Sequence, residues 1–278
     1  MIYKITLLLL LVCFKGMAQE KVFLDENMQE IDSLQFNTIC NNHAYKCLAY
    51  SSDSILVNKV LPKYSFGKIT FEEYDQIRSI LELDSKTKIA SGSKIIISYS
   101  DTLFNKETVI KKQMSSFTKT KKSNKQSLIC NGFSISKSPD KTLNKKDFIH
   151  FNEKREKYLA KCIEKFEKQD LVTVNYMYNN KQDGFSYFEN VPRLKDRGIF
   201  KNTFFKIYKN YNLLILKPDG EYFLSGSFIT NKNVQLLLKK EDWTPYKEDL
   251  QEFKEKGCYI NKNFFEDPIF DFTTKHCF

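Results

Sequence analysis

Glycine is scarce in this chain, nine in 278 residues, which argues against a nucleotide site in which glycine-rich backbone cradles phosphates. Histidine is scarcer, with His43, His150 and His276 the only three to serve as bases or metal ligands. The chain has no Cys-x-x-Cys pair, no serine-hydrolase elbow, no zincin helix and no calcium loop. Beyond the first nineteen residues, no apolar run approaches the roughly eighteen needed to span a bilayer. The lysine-rich segment 105–146 contains no arginine, whereas nucleic-acid readers favour arginine forks and interleaved aromatics, so sequence-specific nucleic-acid recognition is not expected. No internal repeat is present.

What is there favours a folded chain. Apolar residues make up 41% and aromatics 14%, in alternating or helical patterns over most of the length, which excludes disordered and collagen-like classes. Lys4 precedes an uncharged run, Ile5 to Phe14, and Gly16 and Ala18 are small residues at the right offsets from a cut after Ala18. The run makes a helix only about 15 Å long, half a bilayer core, so residues 1–18 read as a signal peptide rather than an anchor. Val12 before Cys13 argues against lipidation. The protein is therefore expected to be exported, periplasmic or extracellular, with no transmembrane segment once the signal is removed. The Met-Ala-Gln-Glu ending resembles export signals of the Bacteroidota.

The net charge is +10, and segment 105–146 holds eleven lysines against Glu107 and Asp140. Lys111, Lys112, Lys119, Lys121, Lys122 and Lys125 are candidate contacts to an anionic surface, through a screened and salt-dependent attraction. The plainer reading is a solvated loop. The partner is an unknown protein or such a surface.

Six cysteines follow the signal: Cys40, Cys47, Cys130, Cys162, Cys258 and Cys277. An even count in an exported chain favours disulfides. Proximity suggests Cys40 with Cys47, Cys130 with Cys162 and Cys258 with Cys277, although Cys162 on an apolar helix face also reads as a buried thiol. Cys40-x-x-His43-x-x-x-Cys47 gathers three soft metal ligands but lacks a local fourth, with His276 and Cys277 far away in sequence. No metal or cofactor is assigned.

Alternation predicts a strand at 21–24 and a hairpin from 45–50 and 55–61. Thr70-Phe71-Glu72-Glu73 is a capping box opening a helix to about Leu83, and Lys94 to Tyr99 reads as a central strand. Hydrophobicity then collapses through the lysines. Phe151, Tyr158, Leu159, Cys162, Ile163 and Phe166 mark a helix face, and 171–178 a strand. Residues 194–205 hold a short helix. Strands at 211–217 and 221–228 flank the turn Pro218-Asp219-Gly220, and helices begin near Val234 and at Thr244-Pro245. The tail from Phe264 to Phe278 is expected to pack its rings on the core. The fold class is α+β, in two small mixed lobes, each a short sheet with packed helices. The divisions are 1–18 signal, 19–104 N-terminal lobe, 105–147 lysine-rich connector and 148–278 C-terminal lobe.

From Phe151 onward the order helix, strand, helix, hairpin, helix resembles the second half of a thioredoxin-type fold, most closely over 211–240. Two departures stand out: Cys-x-x-Cys is absent, and no proline precedes Leu213, where that family keeps its cis-proline. The resemblance implies a fold without the family's dithiol chemistry. No set of residues is tied to a reaction, so a non-catalytic binding or interaction module is the expectation. The alternatives are a periplasmic thiol or thioredoxin-like accessory protein, and a hydrolase with dispersed carboxylates drawn from Glu72, Glu73 and Asp75, Glu241 and Asp242, or Glu266 and Asp267.

Overall fold

The computed structural model describes residues 20–51, 54–122, 126–129, 132–135, 143–169, 171–185, 191–206, 210–227, 229–257, 264–265 and 277–278, with 116–122, 126–129 and 132–135 as backbone. The chain divides into two compact units, Met1–Pro62 and Lys63–Phe278, each with its own mixed sheet.

In the first unit β1 (Glu20–Leu24) lies parallel to β3 (Ile55–Pro62), and β2 (Tyr45–Ser51) lies antiparallel on β3's other side, forming the expected hairpin. Helix α1 (Ser33–Cys40) opens with a capping box. Asp32 accepts from the Leu34 and Gln35 amides at 2.8 Å, and the Gln35 side chain accepts from the Asp32 amide. The helix buries Phe36 against Phe23, with ring centroids 5.1 Å apart. Cys40, its last residue, is disulfide-bonded to Cys47 of β2 with the Cα atoms 5.8 Å apart.

The second unit is built on six strands in the order β4 (Tyr64–Lys68), β11 (Glu221–Ser225), β10 (Leu213–Leu216), β5 (Lys94–Leu103), β8 (Val172–Lys181) and β9 (Arg193–Lys195). Strands β5, β8 and β9 run parallel, and the other neighbours are antiparallel. A near-continuous apolar run suits a strand covered on both faces, and Ile95, Ile96, Ile97, Leu214, Ile215 and Leu216 are all fully buried. One face carries α2 (Phe71–Ser85), whose capping box at Thr70 and Glu73 is formed as expected, together with α5 (Ile199–Thr203), Phe204 and Phe205. On the other, Tyr64, Phe66 and Phe223 meet Trp243, Phe264 and Phe265, and α7 (Thr244–Lys256) stacks Phe253 on Phe265. Helix α6 (Asn231–Lys239) buries Val234, Leu237 and Leu238. The Pro218-Asp219-Gly220 turn joins β10 and β11, with Gly220 at φ +83°, a conformation glycine adopts at no steric cost.

Strands β5 and β8, on opposite sides of the lysine-rich segment, are hydrogen-bonded neighbours. Segment 105–147 is therefore not where the chain divides, which is at Pro62. Nor is it a loop throughout. Lys106–Lys122 forms α3, opened by Asn105, whose side chain accepts from the Thr108 amide at 3.0 Å, and 126–129 and 132–135 pair as the hairpin β6–β7. The drop in hydrophobicity coincides with a helix rather than a loop. Ile110 packs on Phe148 of α4 (Lys145–Glu167), and Gln113 and Asn152 exchange amide hydrogen bonds at 2.7 and 3.1 Å.

The buried face of α4 is Phe148, Asn152, Glu156, Leu159, Cys162 and Phe166, while Phe151, Tyr158 and Ile163 are half-buried. Cys162 bonds to Cys277, with Cα atoms 5.6 Å apart. This overturns both the Cys130–Cys162 and the Cys258–Cys277 pairings. Sequence proximity misleads because the C-terminal residues return to α4. Tyr176 donates its hydroxyl to the Cys277 carbonyl at 2.9 Å, the Cys277 amide donates to Asn231 at 3.1 Å, and the Phe278 ring packs 5.3 Å from that of Phe166. Cys130 and Cys258 lie outside the described residues.

Candidate binding crevice

In open α/β sheets the space beyond the carboxyl ends of parallel strands is where ligands collect, because the connecting loops diverge there. In this sheet β5 and β8 end side by side, with Leu103 opposite Lys181. The Gln182 amide donates to the Leu103 carbonyl at 2.9 Å, and its side chain accepts from the Asn105 amide at 3.1 Å. The chain then turns at Asp183-Gly184, placing Phe185 beside the strand ends, and re-enters through Val191-Pro192 into β9, where Arg193 lies opposite Tyr176. Between these pieces is a cavity of about 300 Å³ lined by Leu103, Tyr178, Lys181, Phe185, Val191, Pro192 and Arg193. That volume is at the lower end of small-molecule sites.

The lining has an apolar body and two cations. Lys181 holds its Nζ 5.3 Å from the Phe185 ring centroid, and the Arg193 guanidinium sits 5.5 Å from that of Tyr176. Behind the cavity, Arg193 Nη2 is 3.9 Å from Glu156 Oε1, an ion pair too long to be a hydrogen bond. Glu156 is only 4% exposed, and neither carboxylate oxygen has a hydrogen-bond partner among the described residues. Burial pushes this carboxyl up to about 7, against the opposing pull of Arg193 and Arg155. Burial likewise lowers the Arg193 pKa, with Glu156 resisting.

A carboxyl raised in the folded state takes up its proton there before the unfolded chain does. It therefore opposes folding fully above pH 7, and that penalty fades as pH falls from about 7 toward the unfolded value near 4.3. Glu156→Gln is expected to stabilise the protein by about 2 kcal/mol at pH 8 and by little at pH 4.5. Urea unfolding at the two pH values measures it. An unchanged difference between wild type and variant across that range would show that Glu156 is already well solvated or paired.

The structure spreads the sequence-derived candidates elsewhere. Lys111 and Lys112 are exposed on α3, with Lys112 Nζ 3.3 Å from the Phe104 ring centroid. Lys119, Lys121 and Lys122 belong to the same helix, and Lys125 lies outside the described residues. Lys111 and Lys112 are not among the residues that line the cavity. Cys40 and Cys47 are joined to each other, so they do not offer thiolates alongside His43. Among the described residues no cluster of three His, Cys, Asp or Glu side chains is placed to hold a metal, and no helix is long and apolar enough to cross a membrane.

Most of the acidic groups have structural partners: Glu73 caps α2, Asp75 pairs with Arg78 at 3.2 Å, Glu241 with the sequence-distant Lys94 at 2.8 Å, and Asp242 accepts from the Thr244 amide at 2.9 Å. Glu266 and Asp267 lie outside the described residues.

The crevice residues escaped sequence reading. Their one visible trace is on α4, where Asn152 and Glu156 occupy the i, i+4 positions of an otherwise apolar stripe, and a carboxylate in such a stripe is a candidate buried charge. Comparison with protein-family models, curated proteins and solved structures finds no match for this chain.

Proposed function

We propose that this chain is an exported, non-catalytic binding module that takes a small ligand in the crevice beyond β5 and β8. The carrying observation is the cavity itself, a preformed space at the carboxyl ends of adjacent parallel strands, lined by rings, aliphatics and two cations. Among the described residues of that lining there is no cysteine, serine or histidine. The Cys40–Cys47 and Cys162–Cys277 disulfides suit an oxidising compartment, periplasmic or extracellular. The order β8, α5, β10–β11 hairpin and α6 supports a partial likeness to the second half of a thioredoxin-type fold without its dithiol, although β9 intervenes between β8 and α5.

Two assays together test the reading. The protein is expected not to accelerate reduction of insulin by dithiothreitol, and a panel of aromatic fragments is expected to give ligand-observed NMR signals that Tyr178→Ala diminishes. Turnover in the insulin assay that is lost on replacing Cys40 and Cys47 would favour the thiol-accessory alternative instead.

A second reading adds an anionic surface as partner. It is favoured by α3 being a helix that holds Lys111 and Lys112 in solvent. Binding to vesicles containing anionic lipid is then expected to weaken steeply between 50 and 300 mM salt, roughly tenfold or more, and to fall in Lys111→Gln/Lys112→Gln. Salt-insensitive binding would remove this reading.

A further inference from the structure

We propose that the solvent face of α4 is a docking surface for a linear acidic polysaccharide, which lies along the helix and meets Lys154, Lys157, Lys161 and Lys165 in turn. Of the reading above it takes only the exported location, and it does not depend on the crevice.

The four lysines follow one another at spacings of three, four and four residues. At 3.6 residues per turn those steps hold them within an arc of about 80°, and at 1.5 Å per residue their Cα atoms span about 16 Å of the helix axis. They form one straight row, on the side of α4 opposite Asn152, Leu159, Cys162 and Phe166, which are buried. Lys111 and Lys112, on α3, are not part of it.

All four lysines of the row are exposed, and none has an ion-pair or hydrogen-bond partner among the described residues. The carboxylates of the same helix turn to other groups. Glu153 pairs with Lys106 of α3 at 3.5 Å, and Glu167 accepts from the Val174 amide of β8 at 3.2 Å. Glu164 accepts from Lys168 at 2.8 Å, a bond that with the nearby charge of Lys161 holds its carboxyl below the ordinary range. Like charges three and four residues apart on a helix repel, so the row is unfavourable for α4 by itself. A small anion reaches one or two of these ammoniums. Only a ligand with negative charges repeated along its length relieves the repulsion over the whole row.

The chemistry of the row selects among such ligands. An ammonium is a compact charge with rotating donors, which suits sulfate and carboxylate groups set at varying angles on a sugar chain. The row has no guanidinium fork to read a base edge and no ring on which bases would stack, so nucleic acid gains only its backbone charge there. Nor does the row hold an apolar side chain to sink into a bilayer. The Cys40–Cys47 and Cys162–Cys277 disulfides suit a compartment outside the cytoplasm, where acidic polysaccharide is the polyanion within reach.

The test is isothermal titration of the full exported protein with a short heparin fragment at low salt, beside neutral dextran, single-stranded oligothymidine and vesicles of anionic lipid. Heparin is expected to bind with an affinity that falls steeply as salt is added, and dextran not to bind. Lys154→Gln/Lys157→Gln/Lys161→Gln/Lys165→Gln should weaken heparin at least roughly tenfold. Lys68→Gln/Lys88→Gln/Lys239→Gln/Lys240→Gln, which removes the same charge from exposed positions elsewhere, should weaken it less than about twofold. Because the row repels itself, the first variant should unfold at the temperature of the wild type or above it, which separates lost binding from lost structure. Equal weakening by the two variants would overturn the proposal in favour of a general attraction to net charge. Absence of heparin binding would overturn it too. So would tighter, row-dependent binding of the oligothymidine or the vesicles, which would assign the row to nucleic acid or to a membrane surface. The crevice is tested separately, by the aromatic fragments.

Discussion

Replacing Cys162 and Cys277 together by serine is expected to lower the free energy of unfolding by about 5 kcal/mol, against about 2 kcal/mol for the Cys40→Ser/Cys47→Ser pair. The bridges span sequence separations of 115 and 7 residues, and cross-linking removes more freedom from the unfolded chain the longer the loop it closes. The larger loss should also have a local signature. Cys277 places its carbonyl on the Tyr176 hydroxyl and is followed by Phe278, which packs on Phe166 and Tyr176. Tyr176 in turn lies beneath the Arg193 guanidinium that lines the crevice. Loss of the bridge should therefore loosen the ligand site as well as destabilise the fold. Chemical denaturation of the oxidised protein and both double variants measures the ordering, and equal effects would contradict it.

Lys217→Ala is the second substitution with a large expected cost, about 3 kcal/mol. Lys217 is 1% exposed, at the end of β10. Its ammonium meets Glu221 at 2.6 Å and Asp219 at 3.1 Å, donates to the Glu241 carbonyl, and lies 4.8 Å from the Trp243 ring centroid. Truncation leaves the half-buried Glu221 with only Lys247, at 2.6 Å. Lys217→Met, which keeps the packing of the stem, should cost less, about 1–2 kcal/mol.

The pH dependence follows from the direction of the Glu221 shift. Its hydrogen bonds to Lys217 and Lys247 hold the carboxyl below its ordinary range despite opposing burial. Its contribution is present above the unfolded value near 4.3 and disappears as pH falls through the lower folded value. Wild type should thus lose stability on acidification below about pH 4 more steeply than Lys217→Ala does. Parallel pH profiles would show that the cluster is worth little.

These predictions concern features of uneven visibility in the sequence. The capping box at Thr70 and Glu73, the KIIISY strand and the Pro-Asp-Gly hairpin were legible because each is fixed within a few residues by local chemistry. Strand β4, YSFGK, was not. Its apolar alternation is short, and its partner β11 lies some 150 residues away. A cross-strand detail explains its glycine: a Cβ on Gly67 would overlap the ring of Tyr222, its register partner.

The lysine-rich segment reads as a loop because the described side chains of helix α3, residues 106–115, bury only Ile110. Turns that bury so little resemble a loop in composition. For the same reason composition points to a boundary in the most polar stretch, whereas the division at Pro62 falls directly between strands β3 and β4, with no polar linker to announce it.

The crevice was the least legible part. Its residues come from the ends of three strands and one turn, between Leu103 and Arg193, and only the sheet order brings them together. Leu103, Tyr178 and Lys181 are unremarkable in a sequence, because nothing local marks where a strand stops beside its neighbour. Glu156 was the accessible clue, since a carboxylate in the buried stripe of a helix demands a partner, and its partner Arg193 lines the site.

The central claim is that this crevice is where the protein binds, and a backbone amide chemical-shift map tests it most directly. On titration with a binding member of the aromatic fragment panel, the largest shifts are expected at Leu103, Tyr178, Lys181, Phe185, Val191 and Arg193. Shifts confined to α3, to the first unit, or to the surroundings of Cys40 and Cys47 would contradict it.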